Sequence, residues 1–362
     1  MKAIVSCSGG KDSTATLLLA LERLPKSDIL PVFADTGNEH QAVFDYLAYL
    51  EEKTGLRIKR LKSDFTRQWW KKRDYVRDNW QRKLEAGNPG KWRLRGPRDE
   101  NTPPMPEAPT DMTRNQAIGV WAWLPPTPPM TPDAASDVVR SALGVLDAGP
   151  TGNQFLDLCV VKGRFPSRMA QFCTQELKRY PLDMYAVEIV EANPGEVIES
   201  WQGVRANESA SRAKLKEREA ADLWTIYRPI LSWTIDNVFA IHRKHGVKPN
   251  PLYKQGMGRV GCMPCINVSK DELLEISRRF PEHIKKIAEW ERIVGETSKR
   301  GASFIFDEER GGPPLGIADK IEWAKTTHGG VQFDLLRYLP AEWCASSYGL
   351  CDVDESQDGI SV

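Results

Sequence analysis

The residues best suited to chemistry come early in the chain, in the string SCSGGKDS at positions 6–13. Two adjacent glycines after a β-prone stretch let the backbone turn sharply and aim successive N–H groups at one point, and the next helix adds its positive end. Lysine adds a mobile charge, and serine hydroxyls add donors. The string predicts a site for phosphate oxygens, formed by Ser8, Gly9, Gly10, Lys11, Asp12 and Ser13.

Seven cysteines form a second set of reactive groups, and an odd number in so long a chain argues against a disulfide framework. Cys262 and Cys265 form a C-x-x-C loop whose glycine and proline favour a tight turn with both sulfurs on one side. Such a loop serves as half of a zinc knuckle, a redox pair or half of an iron–sulfur site. Cys7 and Cys159 stand in apolar surroundings and are predicted to be buried.

Strands and helices alternate around these residues. Positions 2–7 and 29–37 are predicted strands, each followed by a helix, and positions 57–64 are a third predicted strand. This alternation predicts an α/β fold with a parallel sheet, in which ligands bind beyond the carboxyl ends of the strands. After Pro249 the chain carries the C-x-x-C loop and is predicted to be mostly helical.

The composition changes twice in the first half of the chain. Positions 69–98 hold ten lysines and arginines against three acids, with four tryptophans interleaved. This pattern is typical of a solvated helix with inward-facing tryptophans, and contact with nucleic acid or a nucleotide is the alternative. Positions 97–132 hold ten of the 25 prolines and are predicted to form an inserted loop that covers the site or acts as a linker.

Length and composition limit the class of protein. A chain of 362 residues with 41% hydrophobic and 27% charged side chains can bury a large core, which excludes an intrinsically disordered or collagen-like protein. The formal net charge of +1 gives no overall bias toward nucleic acid or acidic membranes. We find no long apolar run and no signal-peptide pattern, so we expect a cytoplasmic protein without a membrane partner.

Four blocks of the sequence resemble the phosphoadenylyl-sulfate (PAPS) and adenylyl-sulfate (APS) reductase family of the adenine nucleotide α-hydrolase (PP-loop) superfamily. The SCSGGKDS string is similar to the pyrophosphate-binding loop of that superfamily. The other blocks are FADTGNEH (33–40), GVRANESASRA (203–213) and the stretch from RPILSW to GCMPC (228–265). The resemblance implies a Rossmann-like fold and an enzyme of sulfur metabolism.

Carried over by position, the resemblance assigns roles to individual residues. Positions 8–13 would hold the phosphates of an adenine nucleotide, with Lys11 also taking part in catalysis. The guanidinium groups of the third block would face the sulfate or phosphate end, in keeping with the affinity of arginine for tetrahedral oxyanions. The implied nucleotide-binding residues outside the loop are Asp35, Thr36, Gly37, Gly203, Arg205 and Arg212.

The resemblance also implies a metal centre. Relatives carry a tandem Cys-Cys where this chain has Phe172 and a single Cys173. Four thiolates suit a [4Fe–4S] cluster, with tetrahedral zinc as the alternative, and Mg²⁺ would be needed if ATP is the substrate. The implied ligands are Cys173, Cys262, Cys265 and either Cys344 or Cys351.

The resemblance and the composition together predict three regions. These are a PP-loop nucleotide-binding α/β domain over 1–255 with an insertion at about 69–150, a helical cysteine-bearing region over 256–351, and an acidic tail over 352–362.

The C-terminal stretch departs from the reductases, which end in a Glu-Cys-Gly-Leu/Ile-His motif where this chain has SSYGLCDVDE. Cys351 is the predicted nucleophile. Its thiolate would attack the sulfur of PAPS or APS, and a thioredoxin-like or other thiol donor would then release sulfite. The alternatives are an AMP-forming ATP pyrophosphatase that helps to incorporate sulfur into DNA or tRNA, and a nucleotide-sensing subunit without turnover.

Overall fold

The computed structural model describes residues 1–94, 102–109, 116–124, 126–168, 170–299, 301–304, 316–327 and 348. At its centre is a sheet of six strands. In spatial order these strands are β3 (Lys59–Leu61), β2 (Ile29–Ala34), β1 (Lys2–Ser6), β7 (Ile198–Trp201), β9 (Thr225–Tyr227) and β8 (Arg218–Ala220).

The central sheet is parallel except at one edge. Strand β1 pairs in parallel with β2 and β7, β2 pairs with β3, and β7 pairs with β9. Only β8 runs antiparallel, at the edge beside β9. The predicted parallel α/β sheet is confirmed, and because its strands share a direction, the loops after β1, β2, β3 and β7 leave at one edge.

Helices cover the sheet and extend beyond it. Their bounds are α1 (Lys11–Arg23), α2 (Gln41–Thr54), α3 (Thr66–Ala86), α4 (Pro132–Asp147), α5 (Gln154–Lys162), α6 (Phe172–Thr174), α7 (Tyr180–Ala192), α8 (Ile235–Lys244), α9 (Lys270–Arg279), α10 (Pro281–Glu296) and α11 (Ile317–Ala324). The last three agree with the mostly helical character predicted after Pro249. In the described ranges, no helix combines the length and the apolar composition needed to span a membrane.

The alternation of side chains along β1 explains why both faces of the sheet are covered. Ala3 and Val5 point into the main hydrophobic core, which also contains the apolar side of α1. Ile4 points to the opposite face, where it joins a smaller core with Tyr185 and Ala186 of α7. A strand buried on both faces is expected in the middle of a parallel sheet.

The basic, tryptophan-bearing segment 69–98 is helical only in its first part, because α3 ends at Ala86 and strand β4 (Lys91–Leu94) follows. The predicted helix is therefore confirmed over 69–86 and wrong at 91–94, where Trp92 lies in a strand. Trp69 and Trp80 are buried on the inner side of α3, and Trp69 Nε1 donates a hydrogen bond to the Leu146 carbonyl at 2.9 Å. Trp70 is different, because 42% of it is exposed.

The proline-rich insertion contains more regular structure than the sequence predicted. Its strands β5 (Gln116–Ile118) and β6 (Trp121–Leu124) form an antiparallel sheet with β4 (Lys91–Leu94). The strands are possible because positions 110–124 contain no proline.

Candidate functional site

The loop between β1 and α1, which we call the phosphate loop after its predicted role, is folded around its own serine hydroxyls. The Ser8 N–H donates to Ser13 Oγ at 3.0 Å, and the two hydroxyl oxygens lie 3.1 Å apart. Gly9 has a φ of +74°, which side-chain-bearing residues rarely adopt. Gly10 caps α1 without a side-chain hydrogen bond, so the positive end of the helix faces the loop. The local geometry is that of an anion site.

Residues more than 230 positions away fix the start of α1. Tyr253 OH accepts the Lys11 N–H at 2.9 Å, and His242 Nε2 donates to the Lys11 carbonyl at 2.9 Å. Asn250 Nδ2 donates to the Gly9 carbonyl at 3.3 Å. Sequence reasoning gave these three residues no role, although Asn250 and Tyr253 belong to the Asn-Pro-Leu-Tyr motif of the fourth block.

Lys11 is buried rather than mobile. Its Nζ lies 2.9 Å from Asp12 Oδ2 and 5.4 Å from the ring centroid of Tyr253. The ring centroid of Tyr348 lies 4.8 Å from the same Nζ atom. Tyr348 OH donates a hydrogen bond to the Gly258 carbonyl at 2.5 Å. A residue from the C-terminal stretch is therefore part of this site.

Both predicted oxyanion-binding arginines contact carboxylates. Arg205 is buried, and its Nε donates to Asp12 Oδ1 at 2.6 Å. Arg212 forms an ion pair with Glu208. Gly203 lies so close to the phosphate loop that an added Cβ would be 2.8 Å from the Asp12 carbonyl. The structure thus brings the third block to the loop, with the arginines bound to acids.

The turn after β2 lies beside the loop, as its place at the same sheet edge predicts. Asp35 Oδ1 accepts the Gly37 N–H at 3.0 Å, and Lys62 Nζ lies 3.3 Å from Asp35 Oδ2. Gly37 has a φ of +80°, and its carbonyl accepts from Asn153 Nδ2 at 2.6 Å. Asn153, which caps α5, was not identified from the sequence.

The C-x-x-C loop contacts the same turn. Thr36 Oγ1 lies 3.2 Å from Cys262 Sγ and donates to Glu39 Oε1 at 2.6 Å. The loop backbone is held by Asn38, whose carbonyl accepts the Met263 N–H at 2.7 Å. His283 Nδ1 donates to the Met263 carbonyl at 3.0 Å. The turn at 35–37, which we call the nucleotide turn after its predicted role, and the C-x-x-C loop therefore form one connected structure.

Burial raises the pKa of two thiols in this region, those of Cys262 and Cys173. Burial raises the pKa of the Cys262 thiol to about 12, although the nearby ammonium of Lys178 opposes that rise. Burial also raises the pKa of Cys173, with a further contribution from Cys265. Because thiolates are the nucleophiles, the raised pKa lowers the reactivity of the Cys262 and Cys173 thiols. Lys178 was missed by sequence reasoning.

The described cysteines fit a metal centre. Cys173, Cys262 and Cys265 lie in one neighbourhood, and both Lys178 and Lys286 interact electrostatically with Cys262. Metal binding ionises thiols, and lysines at this distance offset the resulting negative charge. The possible fourth ligands lie outside the described residues; they are Cys344 and Cys351.

The two remaining cysteines, Cys7 and Cys159, are buried in the main core as predicted. Burial raises the pKa of both thiols.

A second group of possible metal ligands consists of His40, Glu282 and His283. His40 Nδ1 accepts the Ala42 N–H at 3.0 Å, so neutral His40 carries its proton on Nε2. His283 donates from Nδ1 and keeps a lone pair on Nε2. With one free imidazole nitrogen, the group is better explained as a helix cap and a loop support.

A glycine-rich loop with the geometry of an anion site after the first strand of a parallel sheet, with a second turn after the next strand, defines an α/β protein of the PP-loop type. A family model described as the phosphoadenosine phosphosulfate reductase domain matches residues 2–89 and 186–268. The chain belongs to this family. The two matched ranges contain the phosphate loop, the turn at 35–37, the third block and the C-x-x-C loop.

The chain is also similar to individual proteins. The chain is 41% identical over 371 residues to an uncharacterized 37.8 kDa protein of Escherichia phage 186, covering 96% of each chain. It is 40% identical over 74 residues to adenosine 5'-phosphosulfate reductase of Allochromatium vinosum, or 19% of this chain and 29% of that one. A PAPS reductase structure from Candida auris, a phosphate complex, matches at a TM-score of 0.36 and 12% identity, covering 73% of this chain and 83% of that one.

Proposed function

We propose that the chain binds an adenine nucleotide at the β1–α1 loop and reduces a sulfonucleotide, PAPS or APS, to sulfite through the thiolate of Cys351. The observation that carries this proposal is the contact between Tyr348 and Lys11, at 4.8 Å from ring centroid to Nζ. Cys351 follows Tyr348 by three positions. Three residues span at most about 11 Å, so a thiol in this stretch is within reach of the loop.

The charges at the loop support the binding of a nucleotide phosphate. Lys11, Arg205 and the amino end of α1 supply positive charge, while Asp12 is the acid bound to both side chains. A phosphate or sulfate with more negative charge than one carboxylate can take over part of these contacts. Lys11 would then stabilise the charge that develops on the leaving nucleotide.

The proposed reaction has two stages. The Cys351 thiolate attacks the sulfur of the sulfonucleotide, so a sulfur–sulfur bond forms and the sulfur–oxygen bond to the phosphate breaks. AMP or its 3'-phosphorylated form leaves with the electron pair of that bond. A dithiol donor such as a thioredoxin-like protein next attacks the cysteine sulfur and releases sulfite. The second thiol of the donor resolves the mixed disulfide, so the donor supplies both electrons.

In this proposal Cys344 is the fourth metal ligand, beside the three described cysteines, and Cys351 stays free. A [4Fe–4S] cluster or a zinc ion, when bound, would tie the four cysteines together, with Lys178 and Lys286 offsetting the charge of the thiolates near Cys262. The chain links that centre to the nucleotide turn through Thr36, whose hydroxyl is 3.2 Å from Cys262 Sγ. A bound metal would order this contact and so hold the C-x-x-C loop against the nucleotide turn.

The test is sulfite release from APS and PAPS by anaerobically purified protein with dithiothreitol. We expect Cys351→Ser to lose sulfite release while it keeps nucleotide binding by calorimetry and the visible absorption of the metal centre. The matched variant Cys344→Ser should lose that absorption. Full activity of Cys351→Ser would reject the proposed nucleophile. Nucleotide binding by the unmodified chain with no turnover of any substrate would favour the sensing role.

A second candidate function is supported by α3, whose exposed lysines and arginines include several without acidic partners in the described ranges. An AMP-forming ATP pyrophosphatase that prepares a nucleic acid for sulfur incorporation would need such a surface. This function predicts release of AMP and pyrophosphate from Mg²⁺–ATP that increases when DNA or tRNA is added. Absence of both products under those conditions would exclude it.

A further inference from the structure

Helix α3 carries positive side chains that are not neutralised by its own acids. Arg77 forms ion pairs with both nearby aspartates, at 3.2 Å from Asp74 and 2.7 Å from Asp78. Lys71 and Arg82 are exposed, and neither forms an ion pair within the described residues. The positive charge on this side of the helix is therefore available to an external anion.

An exposed aromatic ring lies among these cations. Tyr75 is 43% exposed, and its hydroxyl accepts from Lys83 Nζ at 2.8 Å. The same ammonium lies 4.8 Å from the centroid of the Tyr75 ring, so a base would stack on the opposite face of that ring. Lys299, from the segment after α10, lies over the Trp80 ring at 5.3 Å, and its ammonium is close enough to that of Lys83 for mutual repulsion. We call this surface the α3 basic row; it consists of Lys71, Tyr75, Arg82, Lys83 and Lys299.

Three members of the row share one face of the helix, and Lys83 contacts that face through the Tyr75 hydroxyl. Lys71 and Tyr75 are four positions apart, and Arg82 follows seven positions later, so all three lie on the same face. From Lys71 to Arg82 the helix rises by about 17 Å. A surface of this length can follow several successive phosphates of a single strand.

The row leads away from the nucleotide site. Strand β3 ends at Leu61, and the next residue, Lys62, pairs with Asp35 of the nucleotide turn at 3.3 Å. Helix α3 begins at Thr66, four positions further on. A polymer bound along the row would therefore have one end on the side of the turn that contains Asp35.

We propose that the α3 basic row binds single-stranded nucleic acid. Several unpaired cations match a chain of phosphates, and an exposed tyrosine between them offers a face on which a base can stack. An acidic polypeptide would use the cations but would gain little from the ring. The binding goes beyond the reduction of a small sulfonucleotide and would supply the partner of the second candidate function.

The experiment measures fluorescence anisotropy of a labelled 20-nucleotide poly(dT) with the full chain at several salt concentrations. Four phosphate contacts, one for each cation of the row, predict a slope of log Kobs against log salt of about −3 for a single strand. We expect the triple variant Lys71→Gln/Arg82→Gln/Lys83→Gln, which keeps Lys299, to reduce the magnitude of this slope by about 2. The matched control is Arg140→Gln, which removes an exposed arginine that already pairs with Asp137.

The proposed stacking of a base on Tyr75 is tested separately with two variants. Tyr75→Ala should weaken poly(dT) binding by about tenfold through lost stacking. Tyr180→Ala, which removes a tyrosine that is 59% exposed on α7, should leave the binding unchanged. Thermal unfolding and calorimetry with ATP or APS on each variant show whether the fold and the phosphate loop are intact, so a failure here is distinct from a failure of nucleotide binding.

Three outcomes would overturn the proposal. The first is equal poly(dT) binding by the triple variant and the unmodified chain. The second is binding that is as strong for Tyr75→Ala as for the unmodified chain, which would remove the stacking contact. The third is competition by a 20-residue poly-glutamate as effective as that by unlabelled poly(dT), which would assign the row to acidic polypeptides.

Discussion

Gly203 offers a direct test of how closely the third block must approach the phosphate loop. A Cβ at this position would lie 2.8 Å from Asp12 C, Asp12 O and Ser13 N, all of them main-chain atoms that cannot rotate away. To reach ordinary contact at 3.4 Å, the two segments must separate by about 0.6 Å. The φ of Gly203 is not positive, so Gly203→Ala acts through this overlap alone.

Overpacking of this size costs about 1–3 kcal/mol of unfolding free energy. The separation also stretches the 2.6 Å contact between Arg205 Nε and Asp12 Oδ1, so we expect the nucleotide Kd to rise by about tenfold. Urea unfolding followed by circular dichroism measures the first effect, and calorimetry with ATP and APS measures the second.

The matched control is Gly144→Ala in α4, where an added Cβ meets nothing within 4 Å. This change should raise the unfolding free energy by about 0.5–1 kcal/mol, because alanine is the better helix former, and it should leave the nucleotide Kd unchanged. If Gly203→Ala proves as stable as the unmodified chain and binds nucleotide equally well, the close approach of Gly203 to the main chain of Asp12 is refuted.

Three further predictions follow from single contacts. Tyr253→Phe leaves the Lys11 N–H without its acceptor and should lower the unfolding free energy in urea by about 1–3 kcal/mol. Burial lowers the pKa of His283 to about 4, so stability should fall by up to about 3 kcal/mol between pH 6.5 and 4 as the unfolded chain takes up the proton; His283→Gln should lack this fall in unfolding curves across that pH range. Cys262→Ser should lose bound metal in elemental analysis after anaerobic purification, whereas Cys7→Ser should keep it, and unchanged metal content in Cys262→Ser would remove this cysteine from the ligand set.

The parts of the fold that the sequence predicted are those with local causes. A glycine pair after a short apolar strand is enough to place a loop at the start of α1, and the turn at 35–37 follows its own strand in the same way. Because parallel strands end at one edge, the two turns had to meet. The same reasoning placed Trp69 and Trp80 on the inner side of α3.

The supporting contacts could not be predicted because they depend on tertiary structure. Nothing local to Tyr253 or His242 indicates that both bind the main chain of Lys11. Asn153 reaches Gly37 from α5, across 116 positions of sequence. Lys178 resembles any helical surface lysine in the sequence, and its position near Cys262 follows only from how α6 and α7 meet the C-x-x-C loop.

Asp12 shows how the structure changes the meaning of a motif residue. Its carboxylate is an acceptor, and phosphate oxygens are acceptors too, so the two groups cannot form a hydrogen bond with each other when both are ionised. Asp12 instead forms ion pairs with Lys11 and Arg205, at 2.9 Å to Lys11 Nζ and 2.6 Å to Arg205 Nε. Both of these cations are buried, and a buried charge without a partner would cost several kcal/mol. Asp12 therefore acts through the two cations: it holds them beside the loop, where, under the proposed function, an incoming phosphate would meet positive charge that is already in position.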